Sequence, residues 1–184
     1  MIHPRDWYVE IQGQGPDLVL LHGLGASSFS WRHNRAALSR HFRVITPDLP
    51  GHGRSPAPPQ GDYRIDSLLR GVLDFLDWHN LTTVALGGNS LGGGLSLLAA
   101  AAQPERIAAL TLLAPAAAVP RVPFAFYPLR LPVLGYAVAA LLGPWFLPLF
   151  MRLIYYDAGR MIPEAAAGYA PPYRDLHRRL ALRQ

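Results

Sequence analysis

Gly88-Asn89-Ser90-Leu91-Gly92 lies between a short β-branched and apolar run, Thr82 to Leu86, and a run of small apolar residues that follows it. A serine with glycine two places before and two places after it is the pattern of a nucleophile carried on a sharp strand-to-helix turn. Glycine is needed at both places because a Cβ there would collide with the neighbouring strand or helix. The serine between them is driven toward positive φ, a strained geometry that goes with function. A hydroxyl held in this way attacks a carbonyl carbon once a base has taken its proton. Ser90 is the candidate nucleophile.

Other chemistries are poorly served. The chain has no cysteine, which removes disulfide frameworks, thiolate metal sites and cysteine nucleophiles. Gly87 to Gly92 does not make a dinucleotide loop, because the second glycine of G-x-G-x-x-G would fall on Asn89. No metal-ligand cluster or phosphate-cradling loop is visible, so neither a metal nor a cofactor is expected.

The elements that must position Ser90 follow from periodicity. Trp7, Val9 and Ile11 alternate with polar residues, as in a half-buried strand. After the turn cluster Gly13 to Pro16, Leu18 to Leu21 is a continuous apolar run, as in a strand covered on both faces. It runs into His22-Gly23-Leu24-Gly25 and a serine-rich lead into a helix over Trp31 to Leu38. Phe42 to Thr46 is the next strand, stopped by Asp48-Leu49-Pro50-Gly51-His52-Gly53-Arg54-Ser55. Ile65, Leu68, Leu69, Val72 and Leu76 fall at helical spacing, which predicts an amphipathic helix over Tyr63 to Trp78. The elbow strand, a helix over Leu91 to Ala102 and a strand over Ile107 to Leu113 complete the series. Strands alternating with helices predict an α/β fold with a mostly parallel sheet.

Composition agrees: of 184 residues, 51% are apolar and 16% charged, a globular balance. The net charge of +5 comes from arginine alone, scattered except near Arg174, Arg178, Arg179 and Arg183. No aromatic-basic interleaving accompanies it, so a solvated arginine-rich face is expected and no nucleic-acid partner. No apolar leader is visible near Met1, and a cytoplasmic setting is expected.

From Ala116 the character changes. Pro120, Pro123, Pro128, Pro132, Pro144 and Pro148 punctuate an apolar, aromatic-rich segment. Leu131 to Met151 carries no charge and raises the question of a membrane span, but its prolines and glycines break the run. An apolar lid over a pocket, or a surface touching lipid, is the preferred reading. The chain is therefore divided into 1–115, a core, and 116–184, a helical cap segment.

Three motifs in order, His22-Gly23-Leu24-Gly25, Asp48 to Ser55 and Gly88-Asn89-Ser90-Leu91-Gly92-Gly93, together resemble the α/β-hydrolase fold family in its esterase, lipase, peroxidase-like and C–C hydrolase branch. The resemblance covers about residues 7 to 115. It implies an acyl-enzyme on Ser90, formed from an ester, thioester or other activated carbonyl of apolar character. It implies an oxyanion hole made by the main-chain N–H groups of Leu24 and Leu91. His22 would pin the oxyanion loop and not act as base, and His52, Arg54 and Asp48 would structure their own loop. Gly23, Gly88 and Gly92 would let the loops approach. Serine at the elbow argues against epoxide hydrolase and haloalkane dehalogenase chemistry, where relatives carry aspartate.

The chain departs from the family pattern after the elbow. The family's acid and histidine follow two further strands, whereas here only Glu105, Asp157, Glu164, Asp175 and His177 come after Ser90. Asp175 and His177 are two apart on an expected helix and point away from one another. The expectation is an amino-terminal part ending inside its cap, inactive or weak as this chain, with the edge of strand Ile107 to Leu113 bared. Two alternatives stay open: a non-catalytic member that binds an apolar ligand or a partner, and a membrane-associated protein anchored by 131–151.

Overall fold

The apolar runs become strands where β-branched and leucine side chains can be covered on both faces. In the computed structural model, which describes residues 2–58, 61–116, 132–141, 143–154 and 163–175, they are β1 (Val9–Gln12), β2 (Asp17–Leu21), β3 (Arg43–Pro47), β4 (Val84–Asn89) and β5 (Ile107–Leu113). They join in one sheet of order β1-β3-β2-β4-β5. β1 runs antiparallel to β3, and the other pairs are parallel. Helices α1 (Arg32–Leu38), α2 (Ile65–Trp78) and α3 (Leu91–Ala102) make the crossovers.

The period of two along β2 divides the core. Val19 and Leu21 join Ile45 and Leu86, with Leu68, Val72, Phe75 and Leu76 of α2 and Leu95 and Ala99 of α3. Leu18 and Leu20 join Val44 and Trp31 on the other face, with Leu38 of α1 packed against them. Each fully buried side chain of this size stabilises the fold by about 1.5–3 kcal/mol. Trp7 stacks on Phe75 at 5.1 Å between ring centroids and closes the first cluster beside β1.

Two expected core positions are corrected. Ile11 is 51% exposed, because β1 is an edge strand whose cover ends near Trp7 and Val9. Ile65 is 49% exposed, because it heads α2 and the buried stripe starts at Ser67 and Leu68. The elbow strand also runs further than its β-branched residues suggest, through Gly87 and Gly88 to Asn89. The expected helix from Trp31 begins instead as a 3₁₀ turn, Ser28–Trp31, with Ser27 as its cap.

The chain divides into two compact units, Met1–Arg121 and Val122–Gln184. In the second, α4 (Pro132–Leu141), a 3₁₀ turn at Pro144–Phe146, α5 (Leu147–Ile154) and α6 (Pro163–Tyr173) are described. Leu147, Ala170 and Tyr173 pack together there with Tyr169. Burial pushes the Tyr173 phenol up to about 12. Gly143, Pro144 and Pro148 divide the apolar run, and no described helix is long and apolar enough to cross a membrane. Asp157 and His177, both weighed as triad members, lie outside the described residues.

Candidate active site

The chain passes from β2 to β3 on one side, then back to β4 on the other side of β2. Between β2 and β4 the winding reverses, and the crevice beyond the carboxyl ends of such strands is where ligands bind in open α/β sheets. Leu21 pairs with Gly88 at this point. The next residues of β2 are His22-Gly23-Leu24, and the next of β4, after Asn89, is Ser90. Topology alone therefore brings the two motifs side by side.

Ser90 has φ 51° and ψ −114° and stands immediately before α3. A serine in that place ordinarily caps the helix through its side chain. Here it makes no capping bond, so the hydroxyl is left for other use. Its main chain is held firmly: the N–H donates to Leu113 O at 2.9 Å, and its C=O accepts from Gly94 and Ala116, each at 2.9 Å. The end of β5 thus braces the strained turn.

The glycines make the turn possible. A Cβ at Gly88 would run into the main chain of Gly92 and stand 2.5 Å from Gly93 N. A Cβ at Gly92 would run into the Leu21 carbonyl and stand 2.6 Å from His22 O. Gly23 completes the fit, with its Cβ position 3.2 Å from Asn89 Oδ1 and 3.3 Å from Ser90 Cβ. Glycine at the head of α3 costs up to about 1 kcal/mol each against alanine. Local helix propensity is given up for close approach to β2 and β4.

Leu24 and Leu91, the expected oxyanion donors, start from the two loops that Gly23 brings together. Neither N–H has an acceptor among the described residues. Leu91 opens α3, where the helix dipole adds partial positive charge. Leu24 has a half-exposed side chain, at 46%.

His22 is fully buried, and both ring nitrogens are engaged. Nε2 accepts the N–H of Leu49 at 2.9 Å, which makes Nδ1 the protonated nitrogen that donates to Gly23 O at 2.8 Å. Burial holds its pKa down to about 4. The ring is a neutral crosslink with no lone pair left to take a proton from Ser90.

In the loop after β3, Asp48 is buried, its carboxylate accepting from Ser28 N–H at 2.5 Å and Arg54 N–H at 2.8 Å. Arg54 donates from its guanidinium to Tyr8 Oη and lies over that ring. His52 Nδ1 is 2.9 Å from Pro50 O. Asp48 does more than structure its own loop, since the Ser28 donor lies 20 residues away. No local spacing signals that contact. Within the first unit, Glu105 is the acid that follows Ser90, and the Ser90 hydroxyl makes no capping bond. No three His, Asp or Glu side chains gather into a metal site among the described residues.

A mostly parallel sheet, a strained serine at the winding reversal and a second loop packed on it by glycine define the class of α/β-fold hydrolases. A family model described as alpha/beta hydrolase fold matches residues 16–160. The chain belongs to that family. It is similar to an uncharacterised protein of Mycobacterium tuberculosis, 34% identical over 155 residues, with 84% of this chain and 44% of that protein covered. It is similar to the 2-hydroxy-6-oxo-2,4-heptadienoate hydrolase of Pseudomonas putida, 39% identical over 104 residues, 55% of this chain and 38% of that one. Among solved structures, a haloalkane dehalogenase from Agrobacterium tumefaciens superposes with a TM-score of 0.83 at 26% identity, covering 96% of this chain and 62% of that chain. The chain spans less than half the length of these two curated relatives.

Proposed function

We propose that Ser90 is the nucleophile of a serine hydrolase acting on an ester, thioester or other activated carbonyl of apolar character. The observation that carries this reading is a helix-capping serine at φ 51° whose hydroxyl makes no capping bond. In the proposed reaction Oγ bonds to the carbonyl carbon and gives its proton to a base, and the N–H groups of Leu24 and Leu91 hold the oxyanion. Collapse expels the alcohol or thiol, and water then hydrolyses the acyl-enzyme. The ketone in the name of the Pseudomonas putida relative's substrate favours a carbonyl target. Serine at the elbow disfavours haloalkane dehalogenase and epoxide hydrolase chemistry, for which family relatives carry aspartate there.

His22 is engaged at both nitrogens, and no other described histidine bonds the hydroxyl. This chain by itself is proposed to acylate weakly. Loss of the base and its partner lowers triad rates by on the order of 10⁴–10⁶. A fluorophosphonate probe tests the proposal: it should modify Ser90, detectably if slowly, and modification should vanish in Ser90→Ala. Equal labelling of both proteins would remove the assignment.

A second reading, peripheral contact with lipid through the second unit, is favoured by the exposure of Leu141, Trp145 and Leu149 at 68%, 67% and 54%. Sedimentation with neutral liposomes tests it. Retention in the supernatant by wild type and by Trp145→Glu alike would dismiss it.

A further inference from the structure

The segment Gly23 to Ser27 carries the Leu24 amide between two buried ends, Gly23 and Ser27. Leu24 is half exposed, and Gly25 turns at φ 69°. Within the segment, Ala26 N–H donates to Gly23 O at 3.2 Å. One dipeptide, Asp48-Leu49, bonds the chain at both ends of the segment. At the entrance, Leu49 N–H donates to His22 Nε2 at 2.9 Å. At the exit, Ser28 N–H donates to Asp48 Oδ1 at 2.5 Å.

Asp48 is itself fixed from every side. Its N–H donates to Tyr8 O at 2.8 Å, and its C=O accepts from Ser55 Oγ at 2.6 Å. Ser55 Oγ in turn accepts Tyr8 N–H at 2.8 Å. The second carboxylate oxygen takes Arg54 N–H, and Gly53, at φ 51°, leaves no room for a Cβ beside the carboxylate. A carboxylate that is 1% exposed must be compensated by donors, and hydrogen bonds to an ionised acceptor are roughly twice as strong as neutral ones.

We infer that Asp48 is a positioning residue for the oxyanion loop: its carboxylate, through Ser28 N–H, holds the far end of the segment that presents Leu24 N–H to the Ser90 site. The inference deepens the proposed function and rests on it. Asp48 touches no reacting atom, and acts by limiting where the Leu24 amide can be. A donor displaced from the oxyanion position loses most of its effect, since removing such a donor outright lowers kcat by about 10²–10³.

Two variants cut the tie from opposite sides. Asp48→Asn keeps the volume but turns one acceptor into a donor facing an N–H. Ser28→Pro removes the N–H, and with it a buried hydroxyl, at the first residue of a 3₁₀ turn where proline is tolerated. Ser27, at φ −160° and ψ 179°, already has the extended backbone required before proline. If Asp48→Asn fails to fold, Ser28→Pro keeps the inference open to test.

Amide hydrogen exchange should rise at least tenfold at Ala26, whose N–H is bonded to Gly23 O, in both variants and stay at wild-type rates across β4. Fluorophosphonate modification of Ser90 should slow roughly tenfold or more, with the probe concentration for half-maximal rate changed less than twofold. Unchanged exchange at Ala26 in both variants overturns the inference. So does faster exchange with Ser90 modified at the wild-type rate. Wild-type chain unmodified at Ser90 is a different failure: it removes the nucleophile assignment beneath, and the exchange measurement then decides the Asp48 tie alone.

Discussion

His22 and Leu49, 27 residues apart, are joined by a hydrogen bond of 2.9 Å from the Leu49 N–H to the imidazole Nε2. The donor is an amide that cannot reverse its role, so the acceptor nitrogen must be unprotonated. The bond therefore requires a neutral ring, in agreement with a pKa lowered by burial to about 4.

The sign of the pH dependence follows. Unfolded His22 takes up a proton near its ordinary value of 6.5, whereas the folded ring does so only near 4. Its neutral form stabilises the fold fully above pH 6.5, and that contribution is lost as pH falls toward 4, by about 3 kcal/mol. His79, also lowered by burial, adds in the same direction. Urea midpoints measured across this window should fall with acidification, and His22→Gln, less stable at neutral pH, should show a shallower fall. An equal slope in the variant would mean that His22 is not the group responsible.

Ser90 sits at φ 51°, and a non-glycine residue held outside the common regions stores about 1–3 kcal/mol. Ser90→Gly should stabilise the chain by about 1 kcal/mol, the relief being offset in part by glycine's greater flexibility when unfolded. Thermal unfolding compares it with Ser90→Ala, which retains the strain and should match wild type within about 0.5 kcal/mol.

Gly88 and Gly92 allow no Cβ without overlap with main-chain atoms of Gly92 and Leu21. Backbone cannot rotate aside as a side chain can. Gly88→Ala and Gly92→Ala should each destabilise by about 3 kcal/mol or prevent folding. Denaturant titration of soluble protein, or its recovery from cells, gives the answer. Either variant within 1 kcal/mol of wild type would contradict the close approach of α3 to β2 and β4.

Among the described strands β5 lies at an edge of the sheet, with Leu110 and Leu113 exposed at 37% and 46% and no charged side chain along it. Such an edge pairs readily with another. Leu110→Lys should reduce self-association in sedimentation velocity, with stability changed by less than about 1 kcal/mol. Unaltered association would place the contact elsewhere.

Features that depend on neighbouring residues alone are legible along the chain. Leu91–Ala102 and Ile107–Leu113 are legible with their observed bounds, because each is a uniform run ended by proline or by a change of residue type. The glycine spacing about residue 90 needs a tight turn whatever surrounds it, so the strained serine could be named before any coordinates. Tertiary structure decided the rest. Strand order put β2 and β4 side by side, and with them the residue 22–24 loop and Ser90. The partners of His22 and Asp48 are amides 27 and 20 residues distant, and an amide carries no mark in the sequence. Ile11 and Ile65 have core periodicity but lie where the cover runs out, because periodicity tells which face a residue shares and not whether anything packs on it.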